Sequence, residues 1–226
     1  MWQLYKYHSL AGRAIDNLKQ RKLWASHPCA FNDPFEFRLQ RRIDAIGIAD
    51  LRQQNTQLAD TPDDVLVQMA TEAYQAEFNR WSVVCFTEVP DDILMWSHYA
   101  NSHTGFCLGF RGDDDQNILD SGLHQVAYSE VYPPLDFSRI WHIEGLAKIL
   151  LTKNIAWAYE KEWRIIFCHS ARLVDYPGVL NKVIFGLRTA EEDQRLVRSI
   201  LRSYGEVSYY HVVQDDTRYQ SHVQPL

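Results

Sequence analysis

Three short segments of this 226-residue chain gather side chains able to do chemistry. The first is Phe31-Asn32-Asp33-Pro34-Phe35-Glu36. Pro34 fixes its own φ and biases Asp33 towards extended backbone, while Asn32 and Asp33 can bond nearby amides as Asx-type turns. Phe31 and Phe35 are expected to bury and anchor the turn. Packing would then aim Asn32, Asp33 and Glu36, in a structural or substrate-orienting role. The second segment is Met95-Trp96-Ser97-His98-Tyr99-Ala100, with Asn101 and His103 close behind. The third is Trp157-Ala158-Tyr159-Glu160-Lys161-Glu162-Trp163-Arg164. If this stretch is extended, Glu160, Glu162 and Arg164 all face one side.

Several chemistries are open to these residues. A strand edge carrying Glu160 and Glu162 could line a cleft with a catalytic carboxylate. Alternatively, Arg164 could make a structural salt bridge to Asp33 or Glu36. Two acids on one face are also the equipment of glycoside hydrolysis, although sequence does not give the carboxylate separation that chemistry needs. A metal-dependent hydrolase or nuclease would need Asp33, Glu36 and Glu162 to converge on Mg²⁺ or Mn²⁺. No compact metal motif supports it: His98 and His103 are spaced poorly for one helical face, and no metal is expected. Ser97 and His98 are adjacent, so on a helix they diverge and make a poor nucleophile–base pair. Ser97 and Asn101 have the spacing of helical neighbours. Simple packing accounts for the segment too, with Trp96 and Tyr99 in the core and His98 on a buried carbonyl.

Composition narrows the classes. Net charge is −6, from 23 basic and 29 acidic residues, whereas a general nucleic-acid binder normally carries a basic excess. Arg38, Arg41 and Arg42 form one small basic cluster; Arg195, Arg198 and Arg202 form another, at helical spacing on a solvated face. Nucleic acid stays open as a substrate rather than as a ligand held by charge. Cys29, Cys85, Cys107 and Cys168 contain no C-x-x-C pair. Cys85, Cys107 and Cys168 sit among apolar neighbours and read as buried free thiols. No apolar run approaches the roughly 20 residues of a membrane-spanning helix, and the first residues do not read as a signal peptide. The expectation is a cytoplasmic protein with no membrane partner.

The elements that must position these groups follow from periodicity. Strands are expected at residues 4–7, 23–25, 82–86, 105–110, 126–128, 163–168, 182–187 and 207–213, the last of the chain. Helices are expected after Leu10, from Asp91 or Asp92 to Tyr99, over 140–153 and over 190–203. A helical insert occupies about 43–81, with Thr61-Pro62 as a start signal and Leu66, Met69, Ala70, Ala73 and Phe78 on one face. Gly112-Asp113-Asp114-Asp115 closes a strand and Pro133-Pro134 ends another. With no regular strand–helix alternation, no dinucleotide fingerprint, no P-loop and no repeat, the reading is one α+β domain, 1–226, with a curved, mostly antiparallel sheet.

Residues 4–7, Leu23-Trp24-Ala25-Ser26, the Asn-Asp-Pro turn, Cys85-Phe86-Thr87-Glu88, residues 95–100, His103-Thr104-Gly105-Phe106 and residues 159–164 together resemble the bacterial family called domain of unknown function twenty-nine seventy-one. That name implies no activity. The strand order, the Leu-Trp strand and the late Glu-x-Glu strand are also similar to ADP-ribosyltransferase folds, which grip NAD in a cleft between two small sheets. This resemblance implies an NAD-consuming enzyme, in phage defence or toxin action, that takes NAD as substrate and modifies a protein or nucleic-acid acceptor. It implies Glu162 as the catalytic glutamate and Glu160 as the first acid of the motif. Tyr5 or Tyr7 stands near the first-strand position, with Lys6 and His8 in partial substitution for a basic residue there. Trp96-Ser97-His98 takes the place of a Ser-Thr-Ser segment, Tyr99 would pack on nicotinamide, and Lys6 or Arg164 would meet the diphosphate. A non-catalytic recognition module, built on seven tryptophans and twelve tyrosines, is the alternative. No residue specifies the oligomeric state.

Overall fold

The computed structural model describes residues 1–38, 48–49, 52–53, 55–112, 122–133 and 143–226. Arg41 and Arg42, most of the expected helical insert before residue 55, the acidic run 113–115, Pro134 and residues 140–142 lie outside the described residues.

Twelve strands and five α-helices are described. In chain order they are β1 (Gln3–His8), α1 (Ala14–Lys19), β2 (Lys22–Ala25), α2 (Asp63–Phe78), β3 (Ser82–Thr87) and α3 (Ile93–Tyr99). Then come β4 (Phe106–Arg111), β5 (Leu123–Gln125), β6 (Ala127–Ser129), α4 (Ile143–Leu150), β7 (Thr152–Asn154) and β8 (Glu162–Phe167). The chain ends with β9 (Arg172–Asp175), β10 (Val179–Phe185), α5 (Glu191–Leu201), β11 (Ser208–Gln214) and β12 (Ser221–Pro225). The fold is mixed α+β. Eight strands form one sheet in the order β12-β11-β10-β4-β1-β3-β8-β5, antiparallel at every junction except β10 with β11. That parallel pair is joined through α5, as a parallel crossover requires. Two small sheets, β2-β9 and β6-β7, flank it.

Side-chain alternation divides the large sheet into two faces. Leu4, Val84, Phe86, Phe106, Leu108, Phe110, Val183 and Phe185 point into the main core with α1 and α5 residues Leu18, Val197 and Leu201. The opposite face carries Tyr5, Tyr7, Cys107, Ile184 and Val212, covered by Met95 and Trp96 from α3 and by Ala100 just after it. Asp92 caps α3, its Oδ1 accepting from the amides of Leu94 at 2.8 Å and Met95 at 3.0 Å. Trp96 is fully buried, edge-on to Tyr7 at 4.9 Å, and its Nε1 donates to the Pro90 carbonyl at 3.0 Å. After α3 the chain turns through three left-handed residues, Asn101, Ser102 and His103, and re-enters the sheet at Gly105. A Cβ on Gly105 would stand 2.1 Å from the His8 carbonyl oxygen, so β4 can start beside β1 only with glycine there.

Some expectations change. β5, β7, β9 and β12 are strands that periodicity did not mark; each has three to five residues and takes its place through pairing rather than through local pattern. The helix expected over 140–153 gives way to β7 at its end, because Thr152–Asn154 pairs in parallel with β6. On α2, Leu66 is buried but Met69 is exposed, so the apolar stripe is only partly covered. Cys107 is buried and Cys85 half-buried, whereas Cys168 lies just past β8 and is exposed. Among the described residues no helix is long and apolar enough to cross a membrane.

Trp96→Ala should destabilise the protein by about 3–5 kcal/mol, the usual range for emptying a buried tryptophan site. Urea unfolding followed by circular dichroism would measure it.

Candidate functional site

β1 meets β3 at a single residue pair, Tyr5 opposite Thr87, so the two halves of the large sheet part along this seam. Side chains bridge the gap. Lys6 Nζ donates to the Cys85 carbonyl at 3.0 Å, and Tyr7 Oη donates to the Val89 carbonyl at 2.8 Å. Over the seam lies a cleft whose walls include Tyr5, Tyr7, Phe31, Asn32, Tyr99 and Met95. Glu160, Glu162, Lys153 and Lys6 bring charge to it.

The carboxylates arrive from two kinds of backbone. Glu162 opens β8 and shares a face with Arg164. Glu160 ends a 3₁₀ turn, Ile155–Glu160, which Asn154 caps by accepting from the Ala156 amide at 2.9 Å. Lys161 then adopts φ 42°, a left-handed conformation, and redirects the chain into the strand. Glu160 is therefore not part of the strand, as an extended reading would have it. The turn nevertheless brings its carboxylate back beside that of Glu162, and Thr87 Oγ1 holds the turn by donating to the Glu160 carbonyl.

A buried ionic network joins these groups. Arg164 is fully buried, donating from Nε to Glu162 Oε1 at 2.7 Å and from Nη2 to Glu162 Oε2 at 2.9 Å. It also donates from Nη1 to the Leu150 carbonyl at 2.6 Å, and from Nη2 to Glu36 Oε1. Lys153 is 5% exposed; its ammonium reaches Glu160 Oε2 at 2.5 Å and Glu162 Oε2 at 3.0 Å. Tyr99 Oη donates to Glu160 Oε1 at 2.7 Å. Three carboxylates thus share two cations, leaving one negative charge over when all are ionised.

This environment pushes the two acids of the Glu-x-Glu pair apart. Burial would raise the Glu162 carboxyl, but Arg164 and Lys153 carry it down from its ordinary 4.5 to about 2. For Glu160, burial outweighs the attraction of Lys153, and the charge of Glu162 adds to the upward shift. Glu36 is raised as well, by burial against the pull of Arg164. Burial alone would lower the Lys153 ammonium, yet Glu162, Glu36 and Glu160 hold it above its usual value. Burial lowers Lys6, and Tyr5 is pushed up to about 12, chiefly by burial.

Of the residues singled out in the sequence, Tyr5, Lys6, Tyr7, Asn32, Tyr99, Glu160 and Glu162 gather on the cleft, and Arg164 stands directly behind the carboxylates. Glu36 is the partner of Arg164, as the ion-pair reading allowed, and Asp33 is not. Asp33 instead accepts the Phe35 amide at 2.8 Å in a local turn. Phe35 does not bury; it is 64% exposed. Phe37 takes its place, at φ 56°, edge-on to Phe31 at 4.8 Å, and the Arg164 guanidinium lies over both rings. Ser97 and His98 lie outside the cleft. Ser97 Oγ donates to the Ile93 carbonyl and lies 3.0 Å from His103 Nε2. His98 does not sit on a buried carbonyl but is exposed, with its ring beside Trp157. Asn101 is past the end of α3 and bonds Thr104, so it does not share a helical face with Ser97. Among the described residues no three His, Cys, Asp or Glu side chains are grouped so as to hold a metal ion.

Lys153 is the main residue that sequence reasoning missed. Its neighbours Thr152 and Asn154 resemble any helix exit, and nothing local marks a lysine destined for burial.

Residues 95–165 match the model of a family described as Protein of unknown function (DUF2971). Over that span the chain is similar to this family. The matched segment carries Tyr99, Lys153, Glu160, Glu162 and Arg164, whereas Tyr5, Asn32 and Glu36 reach the site from outside it. No curated protein and no solved structure matches the chain.

Lys153→Met should cost roughly 3–5 kcal/mol, because it strands the Glu160 carboxylate in the interior and leaves Glu162 to Arg164. Adding Glu160→Gln should recover part of the loss, so the two changes will be non-additive in a double-mutant cycle read by denaturant unfolding.

The pH dependence has two opposite parts. Glu162 has a depressed folded value, so its contribution is present above pH 4.5 and is lost as pH falls towards about 2. Glu36 and Glu160 have raised folded values, so what they contribute is present below 4.5 and lost as pH rises through those values. Unfolding midpoints measured across the acid range should therefore show a shallower low-pH loss in Glu162→Gln than in the parent.

Proposed function

We propose that this protein is an NAD-consuming enzyme of ADP-ribosyltransferase type, serving in phage defence or toxin action. The observation that carries the reading is the cleft at the parted β1–β3 seam, where aromatic rings face a pair of carboxylates with opposite titration behaviour. Pairs of acids whose environments separate them are the usual mark of divided acid–base roles.

In this reading NAD is the substrate, with Tyr99 as a flat apolar face for nicotinamide. The bond between nicotinamide nitrogen and ribose C1′ breaks, and nicotinamide leaves with the electron pair. Positive charge builds on the ribose, as in glycoside cleavage. Glu162, held ionised by Arg164 and Lys153, stabilises that charge in a partly dry cleft. A nucleophile on a protein or nucleic-acid acceptor forms the new bond to C1′, and Glu160, the more easily protonated of the pair, takes its proton. Arg164 is saturated by Glu162, Glu36 and the Leu150 carbonyl, so it orients Glu162 and Lys6 is left as the cation for the diphosphate.

The same burial favours a second reading, a non-catalytic recognition module. Every carboxylate of the network already holds a cation, as a purely structural cluster would. NAD consumption by the purified protein, with cell extract as a source of acceptors, separates the two. Glu162→Gln should lower turnover by roughly 10²–10³ while the protein stays folded. A folded variant with full turnover overturns the transferase reading. No NAD binding or turnover in the parent favours the recognition module.

A further inference from the structure

A second cleft opens on the far side of the ionic network and, among the described residues, shares only Lys153 with the first. Glu36 forms part of its wall. That side chain is 1% exposed; Oε1 is taken by Arg164, and Oε2 is buried with no hydrogen-bond partner. A buried carboxylate oxygen without a donor is an unusual feature of a folded protein and marks an unfilled demand.

The rest of the wall meets that demand in one chemical sense. Ser129 Oγ donates its proton to the Val131 carbonyl at 2.8 Å, and Thr152 Oγ1 donates to the Lys148 carbonyl at 2.6 Å. With their protons committed, both hydroxyls can only accept from a ligand, Ser129 Oγ through the one lone pair left after it accepts the Val131 amide at 3.1 Å. Arg38, also on the wall, gives its Nε to the Pro34 carbonyl, and Glu130 stands there with opposite charge. Around these polar groups Phe35, Val131 and Tyr132 expose apolar surface, at 64%, 65% and 37%. The network behind the cleft has three carboxylates for two cations, so with all three ionised it is one positive charge short.

We infer that this second cleft is a binding site for a primary ammonium group on an alkyl stem, such as a lysine side chain or a small alkylamine. An ammonium carries three N–H donors and no acceptor, which complements Glu36 Oε2, Ser129 Oγ and Thr152 Oγ1. A guanidinium fits less well, because its two-pronged bond needs both carboxylate oxygens and Arg164 already occupies one. The stem lies along Phe35, Val131 and Tyr132. This site goes beyond the NAD reading and does not depend on it.

Titration of the ¹⁵N-labelled protein with n-butylammonium at low salt, beside n-butanol and n-butylguanidinium, tests the assignment. The ammonium should shift the amides of Val131, Tyr132 and Thr152 and bind at least roughly tenfold more tightly than the alcohol. Glu36→Gln should abolish that preference. Because Glu36 also bonds Arg164, Phe35→Ala and Tyr132→Ala provide variants that leave the ionic network intact, and each should weaken binding several-fold. Equal binding of alcohol and ammonium, tighter binding of the guanidinium, shifts confined to the first cleft, or unchanged affinity in both wall variants would overturn the inference. So would no binding by the parent.

Discussion

The architecture of the site depends on one buried cation, the guanidinium of Arg164. It ties together three parts of the chain that share no local relationship: the turn bearing Glu36, the end of α4 at Leu150, and the start of β8 at Glu162. The rings of Phe31 and Phe37, edge-on to each other, lie beside it, with centroids 5.7 and 5.1 Å from the guanidinium carbon. Removing a guanidinium from water carries a desolvation cost of several kcal/mol, which only good geometry and near-complete hydrogen bonding offset. Arginine suits the position because its planar fork can serve Glu162 side-on while still reaching Glu36 and a carbonyl; a lysine would have a point charge and no such fork.

Around that cation the remaining charges fall into a chain. Glu162 passes the network from Arg164 to Lys153, Lys153 passes it to Glu160, and Glu160 to Tyr99 on α3. Low local dielectric strengthens each link and makes any broken link expensive. The same chain separates two clefts, so a charge change on one side is felt on the other through Lys153, which lines both. The sheet supplies the opening. A full ladder between β1 and β3 would have closed it, whereas the single pair at Tyr5 and Thr87 leaves space that Lys6 and Tyr7 brace by bonding carbonyls of the β3 segment.

The family match and the network divide the chain differently. Residues 95–165 hold the aromatic–acid core of the site, from Tyr99 to Arg164. The first strand and the Asn-Asp-Pro turn complete it from outside that span, with Tyr5 and Asn32 on the wall and Glu36 on the guanidinium. The site is thus not contained in one stretch of sequence, and neither portion would form it alone.

The sequence by itself determined the fold class, most of the longer elements and the three segments that meet at the site. Strong local signals were responsible: apolar runs at 82–86 and 163–168, the Asp92 cap, and the alternation that puts Glu162 and Arg164 on one face. Tertiary structure alone decided the rest. Only it put Lys153 among the acids, chose Glu36 over Asp33 as the partner of Arg164, packed Phe37 rather than Phe35 against the core, and placed Ser97 and His98 outside the cleft. Those outcomes turn on which carboxylate reaches a buried cation and which ring covers it. The Arg164–Glu36 contact joins residues 128 positions apart, and Lys153 meets Glu160 and Glu162 only because the intervening 3₁₀ turn folds the chain back; neither periodicity nor propensity carries that information.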